Sequence, residues 1–161
     1  MLWITVPFLV LIFVVIWVLR RRRKGGPVVP KSIVVDGSNV MYWGGDPSEV
    51  VLKAVINDLR AQGLSPIVVF DANAGYKLRN HFLDEAGLAR LCGLRAQSVI
   101  LMDSGIVADK RILEIAKKSG LRVVSNDQYR DWTVKFPFVR KKGRILRGTY
   151  KSGAVKWASK I

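Results

Sequence analysis

Four times in this chain a short apolar run, rich in β-branched residues, leads into an aspartate. The four are Ile33–Val35 into Asp36, Ile67–Phe70 into Asp71, Val99–Met102 into Asp103, and Val123–Val124 through Ser125 and Asn126 into Asp127. Runs this short, apolar at consecutive positions, suit strands buried on both faces, as in a parallel sheet. Strands are predicted over Ser32–Val35, Pro66–Phe70, Ser98–Met102 and Leu121–Val124. The intervening stretches have helical character. Asp46-Pro47-Ser48-Glu49 reads as a helix start, with Asp46 as N-cap, Pro47 at the first helical position and Glu49 as the acid of a capping box; the helix runs to about Gln62. Lys77–Leu91 and Ala108–Ser119 are predicted as two further helices. The order β-α-β-α-β-α-β implies an α/β fold, a parallel sheet flanked by helices, with all strand C-termini on one edge.

Ligands of open α/β sheets bind just beyond that edge. Asp36, Asp71 and Asp127 fall there, with Asp103 as a candidate fourth. Asp109 opens a helix beginning near the same edge. Asp131 lies one turn beyond Asp127, on the same face if a helical turn starts there. Clustered carboxylates repel one another, and burying them unpaired is costly. A divalent cation resolves the conflict. Mg²⁺ takes oxygen ligands, needs only a few carboxylates, and can polarise a phosphoryl oxygen and activate a water.

The chain has 27 Lys and Arg against 12 Asp and Glu, a net charge of +15, and the excess is unevenly placed. Residues 25–131 carry 13 basic and all 12 acidic residues, whereas residues 132–161 carry nine basic residues and no acidic one. Arg20–Lys24 holds the other five positives. Basic flanks of this kind meet phosphate, on nucleic acid or on anionic lipid headgroups. Phe136–Val139 and Arg144–Tyr150 are predicted to pair as a hairpin around Lys141-Lys142-Gly143, alternating basic and apolar residues. The only histidine is His81 and the only cysteine Cys92, which excludes a zinc finger, a Cys–His site or a Ser–His–Asp triad built within this chain.

Met1–Leu19 is continuously uncharged and apolar, long enough to span a bilayer as one transmembrane helix. No positive residue precedes it and Arg20–Lys24 follows it, the pattern of an uncleaved anchor with its N-terminus outside and the rest of the chain cytoplasmic. The lipid bilayer is then one partner, and the anchor offers a route to a homodimer. Residues 20–31 form a basic juxtamembrane segment and a Gly/Pro linker, residues 32–133 the main domain, and residues 134–161 a basic extension packed on it or continuing it.

Val34-Val35-Asp36-Gly37-Ser38-Asn39-Val40, then Asp109 with Ile112-Leu113, then Val124-Ser125-Asn126-Asp127-Gln128-Tyr129-Arg130-Asp131, closely resemble the NYN/PIN-like ribonucleases of the regnase (MCPIP, CCCH zinc-finger ribonuclease) type. The resemblance covers residues 32–131. It implies a PIN-like (Rossmannoid) fold and a Mg²⁺-dependent, or Mn²⁺-dependent, endoribonuclease leaving 5′-phosphate and 3′-hydroxyl ends. By position, Asp36, Asp109, Asp127 and Asp131 become the metal-site and catalytic carboxylates, and Asn39 orients the site. Ser125 and Asn126 shape the substrate loop, with Ser38 as a further substrate-binding residue, and Arg130 contacts RNA phosphate; outside the resemblance, Lys141 and Lys142 of the basic extension are expected to bind RNA as well. Asp71 resembles the strand-end aspartate of some related PIN-like and flap-type nucleases. The chain departs from the family in having Ala108-Asp109 where regnase-type proteins have two adjacent aspartates, and in lacking the zinc finger and the long basic insertion. An anchored member facing the cytoplasm suits a bacterial inner membrane. Single-stranded RNA is the expected partner, with Tyr129, Trp132 and Phe136 available for stacking on bases. The alternative is a non-catalytic nucleic-acid-binding module, which the missing acid at Ala108 favours. A phosphatase of the HAD type would need an aspartate where Ser38 stands.

Overall fold

The computed structural model describes residues 31–161. The expected anchor over residues 1–19, and the basic segment and linker up to residue 30, lie outside the described residues. Among the described residues no helix is long and apolar enough to cross a membrane.

Side chains of successive strand residues face opposite sides of a sheet, and here both sides are buried. Strand β1 (Lys31–Asp36) sends Ile33 and Val35 to one core and Val34 to the other. Strand β2 (Leu64–Phe70) likewise divides Val68 and Phe70 from Val69. Strands β3 (Val99–Leu101), β4 (Val123–Val124) and β5 (Ile145–Leu146) complete a five-stranded parallel sheet in the order β3-β2-β1-β4-β5. Helix α1 (Gly37–Val40) is a single turn leaving β1, α2 (Glu49–Ala61) joins β1 to β2, and α3 (Ala74–Arg79) and α4 (Glu85–Cys92) join β2 to β3. Helix α5 (Ala108–Lys118) joins β3 to β4. Apolar residues of α2 and α4 fill one core, and Ile112, Leu113 and Ala116 of α5 fill the other. This is the parallel α/β sheet, flanked by helices, that the alternating pattern implies, and it fits the PIN-like fold expected from the resemblance.

Three local expectations change. The N-cap of α2 is Ser48, not Asp46, so Pro47 precedes the cap instead of opening the helix. The expected helix over Lys77–Leu91 is two. Asn80 ends α3 in the left-handed conformation (φ 59°), and the chain folds back over Gly75, where a Cβ would lie 2.5 Å from the Leu83 nitrogen. Asp84 then caps α4 by accepting from the Gly87 N–H at 2.7 Å. No helical turn starts at Asp127. Tyr129 is left-handed (φ 49°), and a 3₁₀ turn begins only at Arg130.

The predicted hairpin is also replaced. Phe136 is drawn into the α5 core, and Pro137 opens a 3₁₀ turn over Pro137–Arg140. Ile145–Leu146 instead pairs parallel with β4 as the fifth strand. The hairpin comes later, between β6 (Gly148–Lys151) and β7 (Ala154–Trp157), turning at Ser152 and Gly153, both with positive φ. It packs on α2. Trp157 meets Trp43 edge-on with ring centres 5.6 Å apart and donates its Nε1–H to Asp58 at 2.6 Å.

Candidate active site

The carboxyl edge of β1 presents Asp36 at the turn into α1. Gly37 follows because no side chain fits there: a Cβ would lie 2.4 Å from the Phe70 ring. Asp36 is 5% exposed and fully engaged. Its Oδ1 accepts from the Asn39 backbone N–H at 3.0 Å. Its Oδ2 accepts from Ser125 Oγ at 2.9 Å and from the Tyr129 hydroxyl at 3.2 Å. Burial pushes its pKa up to about 6; the Ser125 and Asn39 bonds oppose the rise and the charge of Asp109 adds to it.

Asp109 stands in the first turn of α5, where the helix dipole favours a negative charge. Its Oδ2 accepts from Trp132 Nε1 at 3.3 Å. Its pKa is raised, first by burial, then by the charge of Asp127, with Asp71 and Asp131 contributing. Asp36, Asp71, Asp109, Asp127 and Asp131 therefore share one electrostatic field. Among the described residues the ion pairs are Lys53–Glu49 and Arg79–Glu49, so none of these five aspartates is paired. Unpaired carboxylates around Asp109 in so basic a chain are hard oxygen donors of the kind that suits Mg²⁺ or Mn²⁺. The set is open: among the described residues no three acidic, histidine or cysteine side chains converge into a ready-made cage. Mg²⁺ commonly takes one or two carboxylates and completes its shell with water and phosphate, so the residues fit.

A second layer fixes the loop after β4. Asn39 Oδ1 accepts from the Asn126 N–H at 2.9 Å and from Trp43 Nε1 at 3.1 Å. Asn126 in turn holds Gly148 by bonds to both its backbone N–H and its carbonyl. Ser125 Oγ accepts from the Asp127 N–H at 3.0 Å, and Asp127 Oδ1 accepts from the Tyr129 N–H. Ser38 Oγ accepts from the Asp71 N–H at 2.8 Å, tying the ends of β1 and β2 together. Ser38, Ser125 and Asn126 thus each make at least one side-chain hydrogen bond within the protein.

Two of the aromatics expected to stack on bases are buried. Tyr129 is 1% exposed, and its hydroxyl serves Asp36; its pKa is driven up by burial and by that carboxylate. Phe136 lies in the core beside α5. Trp132 is partly buried and holds Asp109. The role of Tyr129 was open to inference from its place between Asp127 and Asp131; its inward direction follows from its backbone and was not.

On the β4–β5 side, Arg130, Arg140 and Arg147 line one open cavity with Gln128 and Thr133, and no acidic residue lines it. Each arginine is braced. Arg130 donates to Gln128 Oε1 at 2.7 Å, Arg140 to Thr133 Oγ1 at 3.1 Å, and Arg147 to the Asp127 carbonyl at 3.2 Å. Lys141 and Lys142 border the adjoining cavity, again with Arg140 and Arg147. Arg144 is different: it donates to the Gly120 and Leu121 carbonyls and is structural. The motif marks Arg130, which the structure places in this cavity, whereas Arg140 and Arg147 carry no motif; their signal is the acid-free charge of the segment.

The model of the Zc3h12a-like ribonuclease NYN domain matches residues 29–156. The chain belongs to this ribonuclease family. Family members are RNA-cleaving nucleases, and the match continues through β5 and the β6–β7 hairpin. Two structures of nuclear protein-only RNase P 2 from Arabidopsis thaliana share the fold. One has TM-score 0.59 at 18% identity over 79% of this chain, the other 0.59 at 20% identity over 84%. The NYN chain corresponds to only 29% and 30% of those two chains. No curated protein sequence matches it significantly. The departure at Ala108 is built into the packing, since Ala108 is buried with Val34 and Ile112.

Proposed function

We propose that this NYN domain is a divalent-metal-dependent endoribonuclease, tethered to a membrane by residues 1–19 with the domain on the cytoplasmic side, that hydrolyses single-stranded RNA at the Asp36–Asp109 edge. The observation that carries the proposal is the shared field of Asp36, Asp71, Asp109, Asp127 and Asp131, none of them ion-paired among the described residues. NYN-type ribonucleases generally depend on a divalent metal, which agrees with this donor set.

Asp36 and Asp109 would hold Mg²⁺ or Mn²⁺, with Asp127 and Asp131 completing the cluster and Asp71 at its margin. When bound, such an ion lowers the pKa of water and stabilises charge on a phosphoryl oxygen. The chain's own residues prepare the site. Ser125 and Tyr129 fix the rotamer of Asp36, and Trp132 fixes that of Asp109, so the carboxylates need not reorganise during reaction. Asn39 locks the β4 loop against α1. Arg130, Arg140 and Arg147 offer a phosphate track beside Asp127, with Lys141 and Lys142 extending it. Hydrolysis by in-line attack of water leaves 5′-phosphate and 3′-hydroxyl ends.

The test is cleavage of labelled single-stranded RNA and DNA by the full 161-residue chain in detergent, with Mg²⁺, Mn²⁺ or EDTA, beside Asp109→Asn. Metal-dependent cutting of RNA, lost in the variant with its fold intact, is the expected outcome. RNA binding with no cutting under any metal would replace catalysis by a binding role, the reading that Ala108 favours. Resistance to carbonate extraction tests the anchor. Binding to anionic vesicles by the chain, with and without residues 133–161, separates lipid headgroups from RNA as the target of the basic segment.

A further inference from the structure

We propose that the cavity between α3, α4 and the end of β3 is a subsite for one unpaired nucleobase bearing an exocyclic amino group, adenine, cytosine or guanine in preference to uracil. It rests on RNA being the ligand, as proposed above.

The cavity measures about 470 Å³, within the size range of small-molecule sites. Leu101 and Met102 belong to its apolar lining. The Met102 N–H bonds to the Phe70 carbonyl at 2.8 Å, so the cavity continues the carboxyl edge of the sheet. In the order β3-β2-β1, it sits two strands from Asp36, about 10 Å along the edge at the usual strand spacing. One polynucleotide can reach both places.

Two large aromatics stand open at this cavity. Tyr76 is 55% and Phe82 57% exposed, and both line it. Phe82 follows the left-handed turn at Asn80, whereas the next residue, Leu83, packs against the core. Exposed rings in a concave site offer what a base face needs, and stacking on such rings is worth roughly five- to a hundredfold in affinity per base.

The polar lining selects within the bases. Asn73, Glu85, Asp103 and Ser104 contribute to it, and the cavity contains no basic residue. Neither Glu85 nor Asp103 belongs to an ion pair among the described residues. Carboxylates accept hydrogen bonds and repel phosphate. They match the amino groups of adenine, cytosine and guanine, as in carboxylate readout of cytosine N4. Uracil has no amino group and offers them a single imino N3–H flanked by two carbonyl acceptors. The charge contrast with the arginine-lined cavity assigns backbone to that side and base to this one.

The experiment measures binding by fluorescence anisotropy, in EDTA to prevent cutting, of labelled short single-stranded homopolymers of adenosine, cytidine and uridine. The proteins are the full chain and its Tyr76→Ala, Phe82→Ser and Glu85→Gln variants. The unmodified chain should bind the adenosine and cytidine polymers roughly tenfold or more tightly than the uridine polymer. Each aromatic substitution should reduce that advantage by a similar factor, and Glu85→Gln should flatten it while leaving the rings in place. Salt dependence should be the same in all four proteins. Equal binding of the three polymers by the unmodified chain, or variants that keep the preference, would overturn the subsite. Mg²⁺-dependent cleavage measured in parallel separates the two proposals. Cutting without base preference removes the subsite alone, and base preference without cutting removes the nuclease reading alone.

Discussion

On the β4–β5 side of the carboxyl edge, Arg130, Arg140 and Arg147 share an open cavity with no acidic lining; on the β2–β3 side, Tyr76 and Phe82 share one whose charged residues are Glu85 and Asp103. The aspartate cluster lies between them. The arginines are braced by hydrogen bonds to side chains or backbone, so little order is lost when they meet a phosphate. The exposed rings contribute stacking area, which is indifferent to salt. A ligand with a charged backbone and flat bases is matched by both flanks at once, whereas an anionic membrane surface would need only the first.

The largest effect should come from the cluster between the flanks. Asp36→Asn should lower RNA cleavage by at least about a hundredfold while leaving RNA affinity at fixed salt almost unchanged. Equal loss of both, in single-turnover and anisotropy measurements, would mean that Asp36 serves the fold and not the reaction.

The next effect is on stability. The Asp36 pKa is raised from 3.8 to about 6, so the folded chain holds this proton more tightly than the unfolded one. The associated stabilisation is fully present below pH 3.8 and is lost as pH rises through 6. It amounts to about 3 kcal/mol at roughly 1.4 kcal/mol per pKa unit. In EDTA, denaturant melts should therefore show this component of stability declining between pH 4 and pH 7, and Asp36→Asn should remove it.

A smaller change distinguishes the flanks directly. Arg140→Ala with Arg147→Ala should weaken RNA binding and lower the slope of log affinity against log salt by about 1 for each phosphate no longer neutralised. Base preference should stay unchanged. A shift in base preference with no change in slope would merge the two flanks into one surface. The smallest effect is Tyr129→Phe, which removes one hydrogen bond to Asp36. It should cost about 1 kcal/mol in a thermal melt, with a fall in kcat and little change in KM.

How far the sequence was legible varied by element. Strands β1 to β4 were readable because each is a short β-branched run that leads toward an aspartate, and helices α2 and α5 because their apolar residues repeat at helical spacing. Ile145–Leu146 reads as part of a strand, but one paired in a hairpin with Phe136–Val139; its parallel pairing with β4 depends on the open edge of that strand, which no local pattern shows. Asp36, Asp109, Asp127 and Asp131 were identified as a group from strand ends and motif spacing. That the hydroxyl of Tyr129 reaches Asp36, and Trp132 reaches Asp109, depended on a left-handed residue and a 3₁₀ turn that the sequence does not announce. The basic segment looked uniform as sequence, yet Arg144 holds backbone carbonyls while Arg140 and Arg147 face an open cavity.

By itself the sequence determined the parallel α/β order, the gathering of aspartates at one sheet edge, and the uneven charge. These follow from local periodicity and from the rule that parallel strands end on one side. The tertiary structure decided which aspartate is buried, which hydroxyl holds it, which indole holds Asp109, and how the arginine-lined and aromatic-lined cavities divide across the edge. Those outcomes depend on pairings between residues up to 93 positions apart, such as Asp36 with Tyr129. No local pattern encodes such a pairing, because burial and direction are fixed only when the layers close on one another.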